Sequence, residues 1–159
     1  MSTQRGARGE AWVVAQFTLI PLLVILTLAL PRGAPWPPLL SWVARLAGLV
    51  LAIGGGCLFL GGIGALGRNL TPLPKPIEDG YLVQTGPYAL VRHPIYSGVT
   101  LGMLALGLFL NSPPGLASAL LAFLFFDAKA SREERWLRER YADYAAYSRR
   151  TRKLIPFIY

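Results

Sequence analysis

The stretch Ala52-Ile-Gly-Gly-Gly-Cys-Leu-Phe-Leu-Gly-Gly-Ile-Gly-Ala65 lies inside an apolar run from Leu39 to Leu66. This run is longer than the ~20 residues that cross the hydrocarbon core of a bilayer. Its many small residues are typical of a membrane helix whose backbone approaches a neighbouring helix closely. A phosphate-binding loop is disfavoured because no Lys-Ser or Lys-Thr pair follows the glycines. The stretch therefore predicts a closely packed transmembrane helix.

The composition of the chain indicates an integral membrane protein. The 159 residues are 53% hydrophobic and 15% charged, whereas charged residues make up about 25% of soluble domains. The mean hydropathy is +0.44. The net charge of +8 comes from basic residues beside apolar segments, which favours membrane lipids with anionic headgroups over nucleic acid as partners. We expect one domain, residues 1–159, without a separate soluble catalytic module.

Four apolar segments predict an all-α protein with about four transmembrane helices. The last two segments flank Asn111-Ser-Pro-Pro-Gly115, which is typical of the turn in a helical hairpin. The charged region that follows predicts an amphipathic helix, and Ser131-Arg-Glu-Glu134 fits a capping box at its start. The predicted ranges are 11–30, 39–66, 95–110 and 116–130 for the apolar helices, 67–94 for a cytoplasmic loop and 131–150 for the amphipathic helix.

The distribution of basic residues predicts the orientation in the membrane. Four spans place the N-terminus, the 67–94 loop and the C-terminus on one side, and these regions hold most of the Arg and Lys. By the positive-inside rule, that side is cytoplasmic. Alanine, arginine, glycine and leucine are abundant and lysine is scarce, which indicates a bacterium and hence its inner membrane. The oligomeric state stays open.

The predicted loop contains Gly80-Tyr-Leu-Val-Gln-Thr-Gly-Pro-Tyr-Ala-Leu-Val-Arg-His-Pro-Ile-Tyr-Ser-Gly98. His93, the only histidine, stands there with Arg92, Pro94 and Tyr96 at the mouth of a membrane segment, where ionisable groups are costly and functional by default. One histidine and one cysteine cannot supply the usual metal ligands, and no acyl-transfer or nucleotide-binding fingerprint occurs. So few catalytic groups favour chemistry supplied by a bound cofactor.

This loop resembles part of the isoprenylcysteine carboxyl methyltransferase and phospholipid methyltransferase superfamily. The hairpin after it, Glu133-Glu-Arg-Trp-Leu-Arg-Glu-Arg-Tyr-Ala-Asp-Tyr-Ala-Ala-Tyr147 and Ile155-Pro-Phe-Ile-Tyr159 share the resemblance, which covers roughly Asn69 to Tyr159. It rests on the Arg-His-Pro-x-Tyr element together with the Glu-Glu pair and the spaced tyrosines. It implies a membrane methyltransferase whose cofactor, S-adenosyl-L-methionine, is enclosed by the loop, the hairpin and the C-terminal helix.

The resemblance also implies roles for individual residues. Lys129 aligns with a family arginine that meets the substrate carboxylate, and the change keeps a point charge but loses a planar bidentate grip. Independently of the resemblance, we expect Arg92 to orient the loop or to meet an anionic headgroup. We take Lys129 and Arg92 as the candidate catalytic residues. The residues expected to bind the cofactor are Gly80, Tyr81, Leu82, Val83, Tyr88, His93, Pro94, Ile95, Tyr96 and Glu133.

The expected function is methyl transfer from S-adenosyl-L-methionine to a lipid-soluble acceptor that enters from the bilayer. The acceptor is an isoprenylcysteine-like carboxylate, a lipid amine or another small hydrophobic molecule. A carboxylate needs no base, whereas an amine or hydroxyl needs deprotonation by His93, Glu133 or a tyrosine. Two alternatives stay open. One is an NADPH-dependent membrane reductase of the sterol reductase type, which has a similar Arg-His-Pro-x-Tyr region, and the other is a non-catalytic protein that keeps the fold.

Overall fold

The computed structural model describes residues 9–75 and 77–159. These residues form an all-helical fold, as predicted, with two single-turn 3-10 helices at Gly67–Asn69 and Gly86–Ala89. The α-helices in chain order are α1 (Glu10–Ala29), α2 (Pro38–Leu66), α3 (Pro94–Phe109), α4 (Pro113–Arg140) and α5 (Tyr144–Arg150). Helices α1, α2 and α4 are long and apolar enough to cross a membrane, and α3 is a shorter apolar helix.

Helices α3 and α4 form the expected hairpin around Asn111 and Ser112. Asn111 adopts a positive φ of 50°, a conformation that asparagine tolerates better than most residues. The Ser112 Oγ accepts a hydrogen bond from the Gly115 backbone N–H at 3.1 Å. Pro113 then occupies the first helical position, where its missing N–H costs nothing. The polar turn therefore both ends α3 and starts α4.

The region after the hairpin differs from its prediction. The Ser131 hydroxyl donates to the Asp127 carbonyl at 2.9 Å within a continuous α4, so the capping box at Ser131 was wrong. The residues around it, including Ala128 and Ala130, are mostly good helix formers, and the helix therefore does not end there. The helix predicted for residues 131–150 is accordingly divided between the end of α4 and the short α5.

Glycines allow α2 and α3 to pack backbone against backbone. A methyl group on Gly98 would lie 2.6 Å from the Gly55 carbonyl oxygen and 2.7 Å from the Phe59 Cβ. A methyl group on Gly62 would lie 3.0 Å from the Ile95 side chain. Contacts this close are available only to residues without a Cβ, as the small-residue pattern of the second apolar segment predicts.

We expect Gly98→Ala to destabilise the protein by about 1–3 kcal/mol, because the added methyl group overpacks a rigid backbone contact. The measurement is the Tm of the detergent-solubilised protein, followed by intrinsic fluorescence. Gly102→Ala is the matched control, since Gly102 lies on the same helix and a methyl group there would meet nothing within 4 Å. An equal Tm for the two variants would contradict this account of the interface.

The other helices complete an open arrangement in the order α2, α3, α4, α1. Leu23 of α1 packs with Met103, Ala119 and Ala122 in a buried apolar cluster. The segment before α3 is held by the chain that follows α5, because the His93 backbone N–H donates to the Lys153 carbonyl at 3.2 Å. The start of α3 is therefore held between the bundle and the chain that follows α5.

Candidate functional site

A cavity of about 470 Å³ lies where the loop between α2 and α3 meets α4 and α5. Its volume is within the range of roughly 300–1,000 Å³ that is usual for small-molecule sites. One part of the wall is apolar and comes from α1 and α2, whose lining residues include Phe17, Phe59, Ile63 and Leu66. The remaining lining residues include polar and aromatic side chains. The cavity can therefore hold a ligand, or two ligands, of mixed polarity.

The structure brings almost all of the predicted site residues to this one cavity. Its wall contains Gly80, Tyr81, Leu82, Val83, Tyr88, Arg92, His93, Ile95, Tyr96, Lys129 and Glu133. Pro94 is the exception among the predicted residues. It is buried as the first residue of α3, and a methyl group on Gly62 would lie 3.1 Å from its ring. Pro94 therefore begins the helix and packs against α2.

Tyr96 connects α3 to the carboxylate of Glu133. The Tyr96 Oη donates a hydrogen bond to the Glu133 Oε2 at 2.8 Å. The Tyr96 ring is parallel to the His93 ring, with centroids 5.4 Å apart, and it also stacks on Phe126 at 4.9 Å. A carboxylate can accept about four hydrogen bonds, so Glu133 can still accept hydrogen bonds from a ligand. The aromatic stack fixes the Tyr96 ring and, through its hydroxyl, the Glu133 carboxylate.

Lys129 lies one helical turn before Glu133 and is almost fully buried. Its ammonium group donates to the Gln16 side-chain oxygen and, at 3.2 Å, to the Pro72 carbonyl. The nitrogen also lies 5.0 Å from the centroid of the Tyr96 ring, which is a cation–π distance. None of the ion pairs found in the described part of the chain includes Lys129. Its hydrogen bonds therefore go to neutral oxygen atoms, and its ammonium also faces a ring.

Glu134 does not line the cavity, and its carboxylate contacts two arginine side chains and the His93 ring. Its Oε1 accepts from the Arg92 Nε at 2.7 Å and lies 3.3 Å from the His93 Nε2. Its Oε2 accepts from Arg138 at 3.1 Å. The Glu134 residue is only 4% exposed. Glu134 therefore fixes Arg92 and His93 from behind the cavity wall.

The Arg92 guanidinium also reaches the segment that includes α5. It donates to the backbone carbonyl of Ser148 at 3.1 Å and to that of Thr151. Together with the Glu134 contact, these bonds join the loop, α4 and α5. Of the two roles expected for Arg92, this geometry favours orientation of the loop.

Several residues that line the cavity were not predicted from the sequence. The side chain of Asn69 holds both backbone groups of Tyr81, accepting from its N–H at 3.4 Å and donating to its carbonyl at 3.3 Å. Tyr147 donates to the Tyr88 carbonyl at 2.7 Å. The buried hydroxyl of Tyr144 has no partner among the residues that the structure describes. The helical spacing of the tyrosines was visible in the sequence, but it did not separate cavity residues from simple packing.

The tyrosines of the loop and α5 are buried strongly enough to change their acidity. Burial raises the pKa of Tyr144 well above its usual value, and the carboxylate of Glu134 adds to the effect. Burial also raises the pKa of Tyr88, and it raises that of Tyr147 to about 12. At neutral pH these phenols therefore keep their protons and act as hydrogen-bond donors.

Curated relatives match different lengths of the chain. Protein-S-isoprenylcysteine O-methyltransferase B of Arabidopsis thaliana is 30% identical over 121 residues, which are 74% of this chain and 61% of that protein. Cobalt-zinc-cadmium resistance protein CzcN of Cupriavidus metallidurans is 41% identical over 80 residues, which are 50% of this chain and 37% of that protein. The chain thus spans 37–61% of the length of these relatives. Within residues 9–75 and 77–159, no group of three or more His, Cys, Asp or Glu side chains is placed to hold a metal ion.

A solved structure matches almost the whole chain, and a family model matches residues 43–144. The structure of the eukaryotic intramembrane Ras methyltransferase ICMT is similar to this chain with a TM-score of 0.66 at 24% identity, covering 99% of this chain and 55% of that one. The family model described as phospholipid methyltransferase matches residues 43–144. These residues include nearly all of α2, the loop, α3 and α4, which supply most of the cavity wall. The chain belongs to the phospholipid methyltransferase family.

Proposed function

We propose that this protein transfers a methyl group from S-adenosyl-L-methionine to a lipid-soluble acceptor at the cytoplasmic face of a bacterial inner membrane. The observation that carries the proposal is a single cavity in which Glu133, His93 and Tyr96 face apolar side chains of two membrane helices. Such a cavity suits a polar cofactor beside a lipid-like substrate. Membership of the phospholipid methyltransferase family supports the reaction class.

The residues of the polar wall fit S-adenosyl-L-methionine. The Glu133 carboxylate can accept hydrogen bonds from the ammonium or ribose hydroxyl groups of this cofactor. Tyr144 also lines the cavity, and its buried hydroxyl finds no partner within the described residues. Tyrosine rings such as that of Tyr96 can face a sulfonium cation. The cofactor, when bound, supplies an electrophilic methyl group.

The remaining task of the protein is to align the acceptor and to exclude water, because an in-line displacement requires little else. We assign to Lys129 the binding of the polar head of the acceptor. The apolar wall of α1 and α2 would contact the hydrocarbon part of the acceptor. An isoprenylcysteine-like carboxylate suits a cation and needs no base. A lipid amine stays a second class, which the name of the family supports. Arg92 is assigned to orientation of the loop.

The test is direct titration of the purified protein in lipid nanodiscs, followed by isothermal calorimetry. We expect S-adenosylhomocysteine to bind and NADPH to give no heat beyond dilution, because the polar wall is matched to the former. Binding of NADPH alone would contradict the methyltransferase and support the reductase. Binding of neither compound would support a non-catalytic protein. A screen with isotopically labelled methyl donor and bacterial lipid extract would then identify the acceptor by mass spectrometry.

A further inference from the structure

Gln16 is a long polar side chain on a helix that is otherwise suited to lipid. It lies in the first half of α1, and it lines the cavity next to Phe17. Polar side chains within membrane segments are costly, and they face protein or a cavity rather than lipid. Gln16 lies outside both the part of the chain matched by the family model, residues 43–144, and the motifs of the loop and of α4. Its place in the cavity therefore needs its own explanation.

The other polar side chains of α1 that make side-chain hydrogen bonds are satisfied within their own helix. The Thr18 hydroxyl donates to the Val14 carbonyl at 2.8 Å, and the Thr27 hydroxyl donates to the Leu23 carbonyl at 2.8 Å. Gln16 instead reaches across to α4, where its side-chain oxygen accepts from the Lys129 ammonium. The contact is not the sole link between α1 and α4, because Trp12 and Phe125 also pack there with ring centroids 5.6 Å apart.

The alternative partner of Lys129 lies on its own helix. Lys129 and Glu133 are four residues apart on α4, a spacing at which opposite charges pair readily. Both contact Tyr96: Glu133 accepts from its hydroxyl at 2.8 Å, and Lys129 lies 5.0 Å from its ring centroid. The ammonium is nevertheless hydrogen-bonded to Gln16 and Pro72. In the described structure Glu133 accepts a hydrogen bond from the tyrosine, and the His93 Nδ1 lies 3.8 Å from the same carboxylate oxygen.

We propose that Gln16 is a positioning residue that keeps the Lys129 ammonium away from the Glu133 carboxylate. The inference rests on the proposed function, in which Glu133 holds the cofactor and Lys129 meets the acceptor. If the two charges paired with each other, each would be lost to its ligand. The neutral amide oxygen of Gln16 holds the cation without cancelling its charge, at the border between the polar wall and the apolar Phe17.

The experiment measures the affinity for S-adenosylhomocysteine in four variants. A double variant that also lacks the Lys129 ammonium tests whether that group causes the loss of affinity. Gln16→Met removes the oxygen at similar volume, and we expect the released ammonium to pair with Glu133 and weaken binding roughly tenfold, the effect of one hydrogen bond to a charged group. The double variant Gln16→Met/Lys129→Met removes the competing cation and should return the affinity to within about threefold of the wild type. A purely structural role for Gln16 would not produce this recovery.

Two further variants are controls. Gln16→Glu keeps an oxygen that accepts from the ammonium, so it should lose much less affinity than Gln16→Met, although it adds a negative charge to the cavity. Thr18→Val changes a polar residue on the same helix that does not line the cavity, and it should have no effect. Wild-type affinity in Gln16→Met, or a loss that the double variant does not reverse, would overturn the inference and leave the proposed function intact. Absence of binding by the wild type itself would overturn both.

Discussion

Glu133→Gln is expected to weaken the binding of S-adenosylhomocysteine by about 10- to 100-fold, because a hydrogen bond to a charged group contributes about 1.5–3 kcal/mol. The substitution keeps the size of the side chain and an oxygen that can accept from Tyr96, which now donates to the carboxylate at 2.8 Å. Only the negative charge and one acceptor oxygen are lost. Calorimetry in nanodiscs measures the change, and the Tm of the ligand-free protein should stay close to that of the wild type.

The control for this experiment lies on the same helix. Glu139→Gln removes an equal charge from an exposed residue that does not line the cavity, and it should leave the affinity within about twofold, since screened surface charges act weakly at a distance. Equal affinities for Glu133→Gln and the wild type would show that the cofactor is held elsewhere. Weak binding by both variants would indicate a general effect of the charge on α4.

The apolar helices were predictable because burial in lipid requires long apolar runs, and such runs are visible without knowledge of the fold. The apolar helix predicted at 95–110 is observed as α3, Pro94–Phe109. The polar turn before α4 is at Asn111 and Ser112, inside the predicted turn. The capping box at Ser131 failed for the opposite reason. A short local pattern competes with continuation of the helix, and here the hydrogen bond from Ser131 to Asp127 is made within α4.

The candidate site was predicted in part, through motifs close to each other in sequence or joined by the family resemblance. The cavity wall contains the predicted Gly80 and Glu133 although they are far apart in the chain. Gln16 and Asn69 were missed because their importance depends on tertiary contacts with Lys129 and Tyr81. A polar residue in an apolar helix indicates a protein-facing side, but it does not identify the partner on another helix.

Neighbouring glutamates can have opposite roles when they lie on different faces of a helix, and Glu133 and Glu134 illustrate this. Residues adjacent in sequence point about 100° apart on an α-helix, so Glu133 lines the cavity while Glu134 is turned toward Arg92 and His93. The sequence treats the two as one acidic pair. Their contacts predict that one affects cofactor binding and the other affects stability.

We expect Glu134→Ala to destabilise the protein by about 3–5 kcal/mol, because it leaves the largely buried Arg92 guanidinium without its carboxylate partner. The measurement is thermal unfolding in detergent, where a loss of this size lowers the Tm by roughly 10 °C in a chain of this length. Arg138→Ala removes another partner of Glu134 but one whose side chain is 55% exposed, so it should cost less than about 1 kcal/mol. If Glu134→Ala were as stable as Arg138→Ala, the buried contacts with Arg92 and His93 could not be what fixes the loop. The contrast with Glu133→Gln, which should change affinity at nearly constant Tm, then assigns the two functions of the acidic pair separately.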